Sequence, residues 1–301
     1  MKGRNRTVVV GVDGSAASTT AVSWAAQLAS SRHFELEIVH GLQIAALGYG
    51  GGMAGADVLF DAVRQDGERV VAVARKVAAS VDAALVITVK TPVESPAPLL
   101  IGLSRQARMV VVGASGSGGF TGMLLGTTAA TLVSHAHSPV AVIRGRHGTA
   151  RVPESGSVVV GVDGSPTSEP AIAAAFEEAS SRGAPLVAVH AWSDVACEDF
   201  SGTGRIVPQW ASVADDEERL LAQRLAGWQE KYPDVEVRRV LRRDRPRHAL
   251  LEAAEQAQLV VVGSRGRGGF TGMLLGSASQ ALVQHAGCPV LVVRPEAPAA
   301  E

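Results

Sequence analysis

The sequence predicts an α/β protein of two tandem domains, each a doubly wound, five-stranded parallel sheet. Three observations lead there. First, Val8-Val9-Val10-Gly11-Val12-Asp13-Gly14-Ser15 recurs as Val158 to Ser165, and Gly119-Phe120-Thr121-Gly122-Met123-Leu124-Leu125-Gly126 recurs as Gly269 to Gly276. Both matches share an offset of 150 residues, as do Pro139 with Pro289 and Arg144 with Arg294. A constant offset across half the chain marks duplication of a whole domain rather than of a small repeat. Second, short β-branched runs alternate with stretches of helical period, the pattern of βα units on a parallel sheet. Third, hydrophobic residues make up 47% of the chain and aromatics only 4%, so the core is built of Val, Ala, Leu and Ile, which suits strands buried on both faces.

The elements of the first half follow in order. Thr7–Val12 is a β-branched run and a buried strand. Ser15-Ala16-Ala17-Ser18 offers N-cap candidates, after which Ala21, Trp24, Ala25 and Leu28 recur at helical spacing. Glu35–His40 is a second strand, Val58–Val81 has helical period, Leu85–Val89 is a third strand and Pro96–Ala107 a short helix. Met109–Val112 is a fourth strand ending at Gly113, Thr127–His135 a helix, and Val140–Ile143 the last strand. The second half repeats this order at the same offset. The break between the halves falls in Gly145–Gly156, which has charges, glycines and Pro153 but no apolar period. This sets a first domain over residues 1–147, a linker over 148–154 and a second domain over 155–296.

Bulk properties exclude several classes. The net charge is −1, without the basic footprint of a dedicated nucleic-acid binder. The halves differ, +4 for residues 1–150 (13 basic, 9 acidic) and −5 for residues 151–301 (15 basic, 20 acidic). Cys197 and Cys288 lack metal-ligand spacing, so a reducing cytosol is expected. Neither a signal peptide nor a membrane-length apolar run is seen, and a cytoplasmic location is expected.

In doubly wound sheets ligands bind beyond the carboxyl ends of the strands, where the winding reverses. The fourth strand is followed by Gly113-x2-Gly116-x9-Gly126-Thr127, and its repeat by Gly263-x2-Gly266-x9-Gly276-Ser277. Glycine after a strand permits positive φ and close backbone approach. Successive amides around Ala114, Ser115, Gly116, Ser117, Gly118 and Gly119 form a potential anion nest, as do those around Ser264, Arg265, Gly266, Arg267, Gly268 and Gly269. Each loop delivers the chain to a helix start, where unpaired N–H groups favour phosphate. Thr127, Thr128, Ser277 and Ser279 add hydroxyls there, beside Ala278. Asp13 and Asp163 follow the first strands, placed to accept from ribose hydroxyls or to act as turn and cap residues. A polyphosphate ligand would usually bring Mg²⁺.

The glycine pattern, the V-x-V-D-G-S start and the domain size resemble the universal stress protein family in its tandem, ATP-binding form. The resemblance covers both halves. It implies a Rossmann-like, adenine nucleotide α-hydrolase-like fold and one ATP site per domain. The residue after the second strand, Gly41 or Ala191, would line the adenine pocket. Asp13 or Asp163 would meet the ribose or adenine side, beside Gly11 and Gly161. The glycine loop with Thr127 or Ser277 would hold the phosphates. It also implies a homodimer, often through the last strands, here Val140–Ile143 or Val290–Val293.

The second loop carries Arg265 and Arg267 where the first has Ser115 and Ser117. Pointing inward, they make the first site the weaker for triphosphate; pointing to solvent, they make no difference. His135 and His285, near helix C-termini, read as dipole partners, and His40 and His190 as packed, hydrogen-bonded residues. Gly50-x-Gly52-x-x-Gly55 lies too far from its strand for a dinucleotide fingerprint. The arginines at 238, 239, 242, 243, 245 and 247 read as a solvated or docking face. The expected function is a nucleotide-dependent stress-response regulator with an unidentified protein partner, and not a conventional enzyme. The alternatives are a slow ATPase or phosphotransferase relying on Asp13, Asp163, His40 or His190, and a scaffold with empty pockets.

Overall fold

A computed structural model describes residues 6–43, 56–116, 125–146, 151–192, 210–267 and 274–295. The chain divides into two compact units, Met1–Val152 and Pro153–Glu301.

In the first unit, strands β1 (Thr7–Gly11), β2 (Glu35–Val39), β3 (Ile87–Lys90), β4 (Met109–Gly113) and β5 (Val140–Ile143) alternate with helices α1 (Ala16–Ser31), α2 (Ala56–Val81), α3 (Pro96–Leu103) and α4 (Thr127–His135). All pairings are parallel and give the order β3-β2-β1-β4-β5, with Val9 opposite both Glu37 and Val110. The winding therefore reverses between β1 and β4. Helix α1 packs with α2 and α3 with α4, so the sheet is covered on both faces. That explains why β1, β4 and β5 are unbroken apolar runs: Val8, Val10, Val110, Val111 and Ala141 are fully buried.

Local chemistry sets the ends of these elements. Ser15 is the N-cap of α1, its hydroxyl accepting from Ser18 N at 3.1 Å. Trp24, Ala25 and Leu28 face the core. Helix α3 stops at Leu103 rather than running to Ala107. Ser104 ends it by donating its hydroxyl to Ile101 O (2.6 Å) while accepting from His137 N (2.9 Å). The third strand is shifted by two residues at its start, to Ile87.

The second unit has β6 (Ser157–Gly161), α5 (Glu169–Arg182), β7 (Leu186–Trp192), α6 (Trp210–Lys231), β8 (Val237–Arg243), α7 (Pro246–Ala254), β9 (Ala257–Gly263), α8 (Ser277–His285) and β10 (Val290–Val293). Its pairings give β8-β7-β6-β9-β10, again all parallel. Three departures from the first unit matter. A 3₁₀ turn at Pro166–Ser168 precedes α5, which starts later than α1. Gly183, at φ 57, ends α5 in the left-handed conformation; the matching residue in the first unit is His33, at φ 54. Finally, β7 and β8 stay paired through His190–Leu241, Ala191–Arg242 and Trp192–Arg243, well past the point where β2 and β3 part.

Candidate functional site

In the first unit the carboxyl ends of β1, β2 and β4 open into a cavity of about 550 Å³. Its walls bring together Gly11, Asp13, Gly41, Gly113, Ser115, Gly116, Gly126, Thr127 and Thr128, all expected from the sequence, with His40, Gln43, Val63 and Asp66. Ala114 stays outside the lining; its N–H extends the sheet by donating to Ile143 O at 3.0 Å. Ser117, Gly118 and Gly119 lie outside the described residues, as do Gly268, Gly269 and the Gly50–Gly55 run.

Asp13 ties this site together. Its Oδ1 accepts from Ser15 N (3.0 Å) and Ser15 Oγ (2.6 Å), which fixes the β1–α1 turn. Its Oδ2 lies across the switch point: a Cβ added at Gly116 would stand 2.7 Å from it. Asp163 repeats the arrangement, with Ser165 N at 2.9 Å and Ser165 Oγ at 2.7 Å on Oδ1, and Arg267 N donating to Oδ2 at 2.7 Å. The aspartate is thus both a turn residue and the brace between the two loops.

The glycines do different work from what their spacing implied. Gly113 has no positive φ; a Cβ there would lie 2.8 Å from the Ala17 carbonyl carbon, so it lets α1 start against the end of β4. The left-handed backbone is at Gly14 (φ 81) and Gly164 (φ 76), which motif spacing did not single out. At Gly41 a Cβ would stand 2.6 Å from Glu94 O, so the loop before α3 closes directly over it. Its counterpart Ala191 carries a side chain and lies within the longer β7–β8 pairing.

Gly126 and Gly276 are the N-caps of α4 and α8, at φ −71 with ψ 152 and 151, and neither has a side chain to cap with. Each is held by its own N–H, to Ala114 O (2.7 Å) and Ser264 O (2.8 Å). Neither cap residue therefore takes up a first-turn amide with a side chain, and the positive dipole end of α4 points into the crevice in the first unit. Of the hydroxyls, Thr127 and Thr128 line the cavity. That of Ser279 is directed elsewhere, donating to Gly263 O at 2.7 Å.

Two arginines, Arg265 and Arg267, lie in the second loop, and Arg294 follows β10 within reach of the charge of Arg265. A Cβ at Gly164 would lie 2.9 Å from Arg267 Nη2, so that guanidinium reaches over the β6–α5 turn while remaining exposed. Burial, and next the neighbouring charge of Arg265, lower the pKa of Arg294 below the ordinary arginine value. Arg144, its counterpart, is lowered by burial alone.

The strand-end histidines are packed and bonded, as their positions suggested. His40 Nδ1 lies 2.7 Å from Val12 O, and His190 Nδ1 2.7 Å from Val162 O. A carbonyl only accepts, so Nδ1 carries the hydrogen in both. His190 Nε2 also meets Glu217 Oε2 at 2.7 Å. Sequence reasoning passed over Glu217, because it is one of several acidic residues on an exposed-looking helix. His135 Nδ1 meets Thr131 O one turn back, at 3.0 Å. Among the described residues no group of three or more His, Cys, Asp or Glu side chains is arranged to hold a metal ion. Nor is any described helix long and apolar enough to cross a membrane.

Residues 4–144 and 155–294 each match the model of the universal stress protein family. A universal stress protein of Mycobacterium tuberculosis is 44% identical over 309 residues, covering 98% of this chain and 97% of that protein. One from Mycolicibacterium smegmatis is 45% identical over 294 residues, covering 96% and 97%. Among solved structures, a universal stress protein from Archaeoglobus fulgidus superposes with a TM-score of 0.69 at 20% identity, covering 97% of this chain and 99% of that one.

Proposed function

The chain belongs to the universal stress protein family in tandem form, and from that premise we propose that it is an ATP-binding regulator with one nucleotide site per unit. The observation that carries this reading is the pairing of a glycine-rich turn with a side-chain-free helix start on the wall of the 550 Å³ cavity. Anionic oxygens fit the exposed amides of the first turn of α4 and the hydroxyls of Thr127 and Thr128. Asp13 braces the opposite wall, and the apolar groups of Val39, Leu99 and Leu100 offer a surface to a base. Mg²⁺, where it accompanies the triphosphate, would be carried mainly on phosphate oxygens.

Holding rather than turning over nucleotide is the preferred role. Hydrolysis needs a group that orients water at the γ-phosphate, and the candidates are otherwise engaged: Asp13 on Ser15, His40 on Val12 O. Self-association into a dimer and a cytoplasmic location belong to the same proposal. The test is to purify the chain without added nucleotide, denature it, and identify and count what is released. ATP in stoichiometric amounts supports the reading. Predominant ADP favours slow hydrolysis. No nucleotide, with none bound on adding ATP back, refutes it. Sedimentation with and without ATP checks the association state.

A further inference from the structure

Resting on the nucleotide reading above, we infer that the two sites are unequal, the first being the tight one, because a single position on the long helix beside each crevice is exchanged between Gly67 and Glu217.

The two positions match in space as well as in number. A Cβ at Gly14 would touch Val70, and one at Gly164 would touch Leu220, which places α2 and α6 in the same register over their crevices. Residue 67 then corresponds to 217. In the first unit a Cβ added at Gly67 would stand 3.0 Å from His40 Cδ2, 3.6 Å from His40 Nε2 and 2.5 Å from Leu42 Cδ2. Glycine therefore lets α2 pack close without placing a side chain on the imidazole, and His40 stays half-buried in the cavity wall. In the second unit Glu217 lies over the same edge of the ring, 2.7 Å from Nε2, and leaves His190 only 2% exposed.

Two consequences point the same way. The carboxylate closes over a histidine that the first unit leaves in its cavity wall. And it is engaged: with Nδ1–H given to Val162 O, Nε2 and the carboxylate share a further proton, a charge-assisted contact that a ligand must displace. Ala191 in place of Gly41 and the extended β7–β8 pairing alter the wall on the same side. Arg265 and Arg267 oppose this by attracting phosphate. However, Arg267 is exposed, and its guanidinium lies over Gly164, where solvent screening weakens its pull.

The test is titration of the full-length chain with ATP, read by calorimetry and by native mass spectrometry. The wild type is expected to show one tight site and a second weaker by about tenfold or more, the loss expected for a charge-assisted hydrogen bond that binding must break. Glu217→Gly should tighten the weak site by about the same factor. Gly67→Glu should weaken the tight one about tenfold or more in protein whose circular dichroism is unchanged. Because the variants lie in different units, misfolding of one leaves the other informative. Two equal sites in the wild type overturn the inference. So does a tight site that keeps its affinity after Gly67→Glu in folded protein, or a weak site indifferent to Glu217→Gly. A chain that binds no ATP at all overturns the nucleotide reading, and this inference with it.

Discussion

Asp13 uses its Oδ1 to hold both the amide and the hydroxyl of Ser15, and its Oδ2 stands against the loop at Gly116. Asp13→Ala should therefore do two things. It should lower the stability of the first unit by about 1–3 kcal/mol, the loss of part-buried hydrogen bonds to a carboxylate, read by thermal denaturation. It should also weaken ATP binding to that unit about tenfold or more, read by calorimetry. Asp244 and His248 form a second residue-scale test, on the surface at the start of α7. The His248 side chain lowers the Asp244 pKa, and hydrogen bonding to Asp244 raises that of His248. For the raised histidine, the contribution to stability is full below its unfolded pKa and fades as pH rises through the folded value. For the lowered aspartate, it is full above the unfolded pKa and fades as pH falls through the folded value. The pair thus contributes at mildly acidic to neutral pH and weakens on both sides. NMR titration should place His248 above, and Asp244 below, their ordinary values, and Asp244→Asn should bring His248 back down. At this scale the sequence was least legible. The two aspartates and the glycine loop could be found because they repeat at a fixed offset. Gly67 and Glu217 could not, since their meaning lies in the histidine each one faces across the fold. Nor could Gly14 and Gly164, whose positive φ is a property of the turn and not of the motif.

At the scale of elements, the offset that pairs Gly183 with His33 yields a stabilising substitution. His33 holds a left-handed conformation that costs a side-chain-bearing residue about 1 kcal/mol. Its backbone carbonyl, accepting from Arg6 Nη2 at 2.6 Å, is unaffected by the side chain. His33→Gly should raise stability by roughly 0.5–1 kcal/mol, measured as a shift in the denaturant midpoint at constant m-value. Ser15→Ala, by contrast, should cost about 1 kcal/mol as the cap of α1 is lost. Element existence was readable from period and punctuation. Thr127–His135 and Val140–Ile143 match to the residue because a glycine precedes the helix and Ser138-Pro139 separates it from the strand. Where the sequence misled, a tertiary contact decided. Helix α3 ends early because Ser104 is drawn to the backbone of Ile101 and His137. The β7–β8 pairing runs on in a segment whose arginines read as a surface patch, and there Arg243 lies 6.0 Å from the Trp192 ring.

For the molecule as a whole, the duplicated plan makes ligand and stability inseparable. A nucleotide that binds only the folded form adds about 2.7 kcal/mol at one hundred times its Kd. ATP at a concentration that fills the first site and not the second should therefore raise the melting temperature of the first unit and leave the other near its unliganded value, resolving two transitions in calorimetry. The fold class was legible in full from the repeat and the alternation of elements. The inequality of the halves was not, because duplication conserves the plan while single side chains diverge. Helices α4 and α8 begin on glycines that contribute nothing to their own ends. Gly126→Ser would supply a better cap, adding a few tenths of a kcal/mol, and would compete with phosphate for the same amides. On the proposed nucleotide reading, these two positions set durability against responsiveness: a sturdier helix start is a poorer seat for phosphate.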